Sequence, residues 1–161
     1  MLSPVEVSAA LEDPAPEVRR RACDLAGRLG MVDLAPKLTE VLADEVPSVT
    51  EAACYALGEL EGLGEATAAV QALNVTAASH PEPLCREAAV AALGSLRRPA
   101  GLPAVLAAFG DKPTVRRRAV VALAGFEGPE VDAALARAAE DVDWQVRQVA
   151  EDLIGCRPRG R

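Results

Sequence analysis

Aromatic side chains are nearly absent: one Trp, one Tyr and two Phe among 161 residues. Half of the residues are nonetheless hydrophobic, so Ala, Val and Leu carry the apolar content. Side chains of this size suit close helix–helix contact. Histidine occurs once, as His80. One imidazole does not build a metal centre that needs several. Any Ser-His-Asp or Cys-His arrangement would have to use His80, and the loop His80-Pro-Glu-Pro83 carries no supporting motif. The four cysteines form no CxxC and no zinc spacing. No run of 18 apolar residues exists, so no membrane span is expected. The start of the chain lacks a basic stretch followed by an apolar one, so no signal peptide is expected and the cytoplasm is the expected location. Asn74-Val-Thr76 is then a chance match to a glycosylation acceptor. Basic residues are outnumbered, 17 against 24, for a formal charge of −7. A chain this acidic does not draw in phosphate backbones through its overall field.

What is present is a repeat. Pro113-Thr-Val-Arg-Arg-Arg-Ala-Val-Val-Ala-Leu-Ala recurs with changes from Pro16, Pro47, Pro83 and Trp144. Aligned on Val18, Val49, Cys85, Val115 and Val146, the units are 31, 36, 30 and 31 residues apart. Four positions after this anchor every unit has Ala: Ala22, Ala53, Ala89, Ala119 and Ala150. Nine positions after it stand Gly27, Gly58, Gly94, Ala124 and Gly155. Proline at the head of four of the five segments suits a first helical turn, where the missing amide would have no partner anyway. The small residue at the fourth place lets a neighbouring helix approach to roughly 8–10 Å. Glycine inside a helix costs about 1 kcal/mol against Ala, so its recurrence points to close packing or a cap. Each segment is preceded by a shorter helical stretch: to about Leu11, Leu34–Leu42, about Glu65–Ala78, Leu102–Phe109 and Pro129–Ala139. The longer helices are expected at Pro16–Leu29, Pro47–Leu60, Pro83–Leu96, Pro113–Phe126 and Trp144–Ile154. Ser3-Pro-Val-Glu6 opens the first with a capping-box pattern. A period near 31 with two helices per unit is the signature of a solenoid, in which neighbours bury stripes that no single pair could bury. One domain over residues 1–155 is expected, with units at about 3–30, 33–62, 65–97, 101–126 and 129–155. The tail 156–161 is expected to be flexible.

The pattern Asp–Pro–Val-Arg–Ala–Ala-Leu-Gly resembles HEAT repeats, in the short bacterial form named after phycobilisome lyases. Asp13, Asp44 and Asp141 carry it, with Val18, Val49, Val115 and Val146, and with Arg19, Arg86, Arg116 and Arg147. The resemblance implies an all-α, right-handed α-solenoid of five HEAT-like helix pairs, serving as a non-enzymatic scaffold without a cofactor. It also implies that the turn Asp pairs with the Arg of a neighbouring unit. Thr50 replaces that Arg in the second unit, and His80 and Gly110 stand for the turn Asp in the third and fourth, so a continuous ladder is not expected. The family name suggests, as an alternative, a subunit or chaperone of a bilin lyase. HEAT-like DNA glycosylases suggest a nucleic-acid reading of Arg19–Arg21 and Arg116–Arg118. The middle units offer Glu51, Glu59 and Glu87 instead of a basic groove, so the first Arg of each run is expected to pair with a turn and the others to be solvated. HEAT-like diiron hydroxylases use His-Glu pairs, which this chain lacks.

The second helices of such solenoids usually line the concave side. At 100° per residue, positions four, seven, eight and eleven after the anchor point inward, and positions two, six and nine point away. The outward set places Tyr55, Ala91 and Val121 in a central, less polar strip flanked by Glu51, Glu87 and Arg117. This strip is the candidate surface for a protein partner. Cys23, Cys54 and Cys85 are expected to be packing residues, with Cys156 exposed. The last helix carries Val142, Val146, Val149 and Ile154 with only a short tail to cover them, which points to self-association through the C-terminal repeat.

Overall fold

The computed structural model describes residues 3–63 and 67–156. The tail expected to be flexible lies, beyond Cys156, outside the described residues, as does the expected start of the third short helix at 65. Among the described residues ten α-helices form five pairs, each a first helix followed by a second. The first helices, short except for the 13-residue α5, are α1 (Pro4–Ala10), α3 (Ala35–Val41), α5 (Thr67–Ser79), α7 (Leu102–Ala107) and α9 (Pro129–Ala138). Their partners are α2 (Pro16–Arg28), α4 (Pro47–Glu59), α6 (Pro83–Leu96), α8 (Pro113–Ala122) and α10 (Trp144–Cys156). No strand occurs among the described residues. The arrangement is an α-solenoid of five helix pairs. Two elements are shorter than the sequence suggests. Helices α7 and α8 each finish in a 3₁₀ turn, Ala108–Gly110 and Leu123–Gly125, because the chain tightens before a break at glycine.

The helix starts follow from local chemistry. Ser3 and Glu6 form the capping box: the Glu6 amide donates to Ser3 Oγ at 3.3 Å and the Ser3 amide to Glu6 Oε2 at 2.7 Å. Four of the long helices begin on a proline. The turn before a long helix is held by a side chain two residues upstream. Asp13 accepts from the Ala15 amide, Asp44 from Val46 and Asp141 from Asp143, at 2.8–2.9 Å. His80 does the same through Nδ1, which accepts from the Glu82 amide at 3.1 Å.

The core is one seam along the chain, filled by Leu38, Leu57, Leu73, Leu93, Leu123 and Leu135 with interleaved Val and Ala. Helices α2, α4, α6, α8 and α10 pack in series as a continuous row, far more extensively than the short helices pack on one another. The glycine nine places after the anchor makes this possible, and here the sequence reading needs correcting: it faces the following long helix, not away. A Cβ on Gly27 would lie 2.8 Å from the Ala56 backbone, one on Gly58 2.9 Å from Ala92, and one on Gly94 2.7 Å from Ala122. None of these three has a left-handed backbone, so they serve contact rather than capping.

Candidate partner-binding face

A series of Arg–Asp pairs joins neighbouring units. Arg19 grips Asp44 with Nε at 2.7 Å and Nη2 at 2.9 Å, while Nη1 donates to the Asp13 and Pro14 carbonyls of its own turn. Arg86 repeats this on Asp111 at 2.6 and 2.8 Å, with Nη1 on His80 and Pro81. Arg116 repeats it on Asp141 at 2.8 and 2.8 Å. Each pair spans 25 residues and is mostly shielded from water. The guanidinium hydrogen bond holds each of these three Asp carboxyls below the usual carboxylate range. The turn acid of the fourth unit is therefore Asp111, not Gly110, and the ladder is more complete than expected. The one step it skips lies between the second and third units. There both partners change together: Thr50 replaces the Arg and His80 the Asp. Thr50 Oγ1 still reaches the Asp44 carbonyl of its own turn at 3.3 Å, so neither substitution leaves a buried charge.

The outward strip lies where helical geometry puts it. Tyr55 is 39% exposed on α4 and Val121 46% exposed on α8, with Ala91 half-buried on α6 between them. The flanking residues are less free than expected. Glu87 is tied to Arg118 of the next helix at 3.0 Å, and Arg117 donates to Gln145 Oε1 at 3.0 Å. Glu51 is half-buried on the same helix as Tyr55. Burial raises the Tyr55 hydroxyl above the usual phenol range; the charge of Arg118 opposes this, and Glu51 and Glu87 add to it. Arg118 lies beside the candidate strip, paired with Glu87, where the sequence suggests a solvated side chain. Ala91, Gly94, Ser95, Arg118 and Val121 line a shallow groove between α6 and α8 that extends the strip.

The remaining candidates are structural. Cys23, Cys54 and Cys85 are free and buried, and Cys156 is free and exposed. Burial pushes the Cys23 thiol up to about 12 and Cys85 up to about 11, and raises Cys54 as well, so none is poised as a thiolate. Cys85 Sγ donates to the Pro47 carbonyl at 3.2 Å, which shows the anchor position reaching back to the head of the preceding long helix. Asn74 Nδ2 donates to the Ala100 carbonyl at 3.0 Å and Thr76 is buried, so the Asn-Val-Thr stretch is helix interior. Among the described residues, no three His, Cys, Asp or Glu side chains converge as metal ligands would, and no helix is long and apolar enough to cross a membrane.

The sequence matches the family model for HEAT repeats twice, over residues 4–77 and 73–155. No curated protein matches it. Among solved structures it is similar to an engineered protein at 17% identity and a TM-score of 0.69, covering 96% of this chain and 80% of that one. It is similar to a designed armadillo repeat protein in complex with the peptide (KR)4, at 16% identity and a TM-score of 0.68, covering 93% and 80%. The Escherichia coli protein YibA matches at 19% identity and a TM-score of 0.67; 96% of this chain is covered, spanning 58% of that one. At these identities the likeness is one of fold.

Proposed function

The chain belongs to the HEAT repeat family, and from that premise we propose that it is a non-enzymatic scaffold that holds a protein partner against the concave face of its long helices. Repeat folds of this kind typically serve protein interaction. The observation that carries the reading is the strip itself. Tyr55 and Val121 stand 39% and 46% exposed on either side of Ala91, on the face where the long helices stack most closely. Tyrosine supplies contact area at small entropic cost, and an apolar strip with polar edges fits an interface. The designed armadillo repeat protein of similar fold holds a peptide, which supports the same use of the architecture here. The arginines of the two basic runs are largely engaged: Arg19 and Arg116 in unit-to-unit pairs, Arg117 and Arg118 on Gln145 and Glu87. That disfavours a phosphate-tracking surface, which needs free cations.

The test replaces Tyr55 and Val121 with Asp and compares affinity capture from the native cell for wild type and variant, read by mass spectrometry. Both residues are surface-exposed, so the far-UV spectrum and melting should hold. A partner captured by wild type and lost from the folded variant is the expected result. An unchanged set of captured proteins would remove the strip as the binding face.

A further inference from the structure

The unit-to-unit pairs have a direction, and it leaves complementary groups at the two ends of the described stack. In each pair an Arg faces forward and an Asp faces back. Arg147 stands at the arginine position of α10. Its Nη1 makes the usual bonds to its own turn, at 2.6 Å to the Asp141 carbonyl and 3.1 Å to Val142. Its Nε and Nη2, the atoms that grip the next Asp in the other three cases, meet no carboxylate among the described residues. At the opposite end Asp13 holds the turn-acid position. Oδ1 accepts from the Ala15 amide at 2.8 Å, as Asp44 does from Val46, so its carboxylate is already set in the geometry that receives an Arg. No arginine side chain reaches it among the described residues.

The apolar surroundings match in the same sense. The anchor side chain is at most 1% exposed in Val49, Cys85, Val115 and Val146, but Val18 is 38% exposed. What covers the anchor elsewhere is the head of the preceding long helix, as the Cys85–Pro47 contact shows. The corresponding head on α10 is Trp144, 64% exposed, beside Val142 at 92%. Gly155 holds the place where Gly27, Gly58 and Gly94 receive the next helix, and nothing lies within 4 Å of its would-be Cβ. The residue it would receive is Leu25, where other units have Ala56, Ala92 and Ala122. Leu153 holds that place on α10, where it and Ala124 line one depression.

We propose that copies of this chain stack head to tail, with Arg147 of one copy gripping Asp13 of the next and Trp144 covering the next copy's Val18. The contact joins two different surfaces, so it propagates as a row of copies instead of closing as a two-fold dimer. It uses the ends of the stack and is independent of the Tyr55–Val121 strip.

The test is sedimentation velocity of the full chain over a wide concentration range at about 0.15 M salt. There the Debye length of about 8 Å damps repulsion between copies of charge −7. Wild type should give a mass that climbs with concentration through two-chain and longer species. Arg147→Glu and Asp13→Asn should each sediment as one chain at every concentration. Asn at 13 keeps the acceptor for the Ala15 amide and removes the charge. Mixed in equal amounts, the two variants should form a two-chain species and nothing longer, because one intact Arg147 then meets one intact Asp13. A one-chain mass for wild type throughout, association that survives both variants, or a mixture that stays at one chain would each overturn the proposal. Should Arg147→Glu lose its helical spectrum, Asp13→Asn at the opposite end still decides the matter: association at the wild-type level overturns the proposal, and its loss supports it.

Discussion

At the residue scale, the arginine after the anchor does more than pair charges. Its three nitrogens satisfy carbonyls of its own turn, two for Arg19 and Arg86 and one for Arg116, and a carboxylate of the next unit, so one side chain closes a turn and fixes the spacing between units. Removing one partner leaves the other partly buried and unmatched, which costs more than an exposed ion pair would. Arg86→Ala should therefore lower stability by about 2–3 kcal/mol, in the range for hydrogen bonds to charged groups. It also strands the His80 and Pro81 carbonyls. Asp111→Ala should cost a similar amount, because it removes the same two bonds to Arg86 and leaves the Lys112 amide without its acceptor. The double variant should cost less than the sum of the two single changes, by about 0.5–3 kcal/mol. A cycle of urea melts checks this, and strict additivity would show the pair to be idle.

At the element scale, the long helices accept a poor helix former in exchange for proximity. Glycine inside a helix is about 1 kcal/mol worse than Ala. Gly94→Ala should nevertheless destabilise by about 1–3 kcal/mol, because the new methyl would lie 2.7 Å from both Cα and Cβ of Ala122. Gly155→Ala meets nothing within 4 Å and should be neutral or stabilising by a few tenths of a kcal/mol, limited by its place in the last turn. Thermal melts of the two variants at a low concentration should move in opposite directions or differ by several degrees. The recurring glycine shows in the sequence. Its direction does not, because a helical wheel places the ninth position on the outer edge. Only the small side chains at the seventh position of the next unit bring the backbones together over it.

For the whole molecule, stability should have a marked acid limb. Asp44, Asp111 and Asp141 have their carboxyls held below the ordinary range by Arg19, Arg86 and Arg116. A carboxyl depressed in the folded state stabilises above its unfolded value, about 3.9, and loses that contribution as pH falls through the lower folded value. The melting temperature should therefore be flat from neutrality down to about pH 5 and fall below pH 4. Arg86→Ala, which frees Asp111, should shift the neutral plateau down and make the acid fall shallower. A parallel fall in wild type and variant would show that the pair makes no contribution to the acid limb.

The helical class, the five-fold repetition and most of the inward stripe were legible in the chain, because helix start signals and periodicity are local and the anchor recurs near every 31 residues. The outward placement of Tyr55, Ala91 and Val121 followed from the same periodicity. The partner of each charged side chain was not legible. Counting back from the anchor points to Gly110 as the turn position, whereas Arg86 reaches 25 residues ahead and finds Asp111. That constant reach relates two neighbouring units, and it depends on how closely the glycines let the long helices approach. Glu87 with Arg118, and Arg117 with Gln145, depend on the same spacing. The sequence by itself determined how often the pattern returns and most of the inward stripe, though not the inward glycine at the ninth position or the exposed Val18 and Leu29. Only the tertiary structure decided which side chains meet across units, because that rests on the distance and angle between stacked helices, which no single repeat contains.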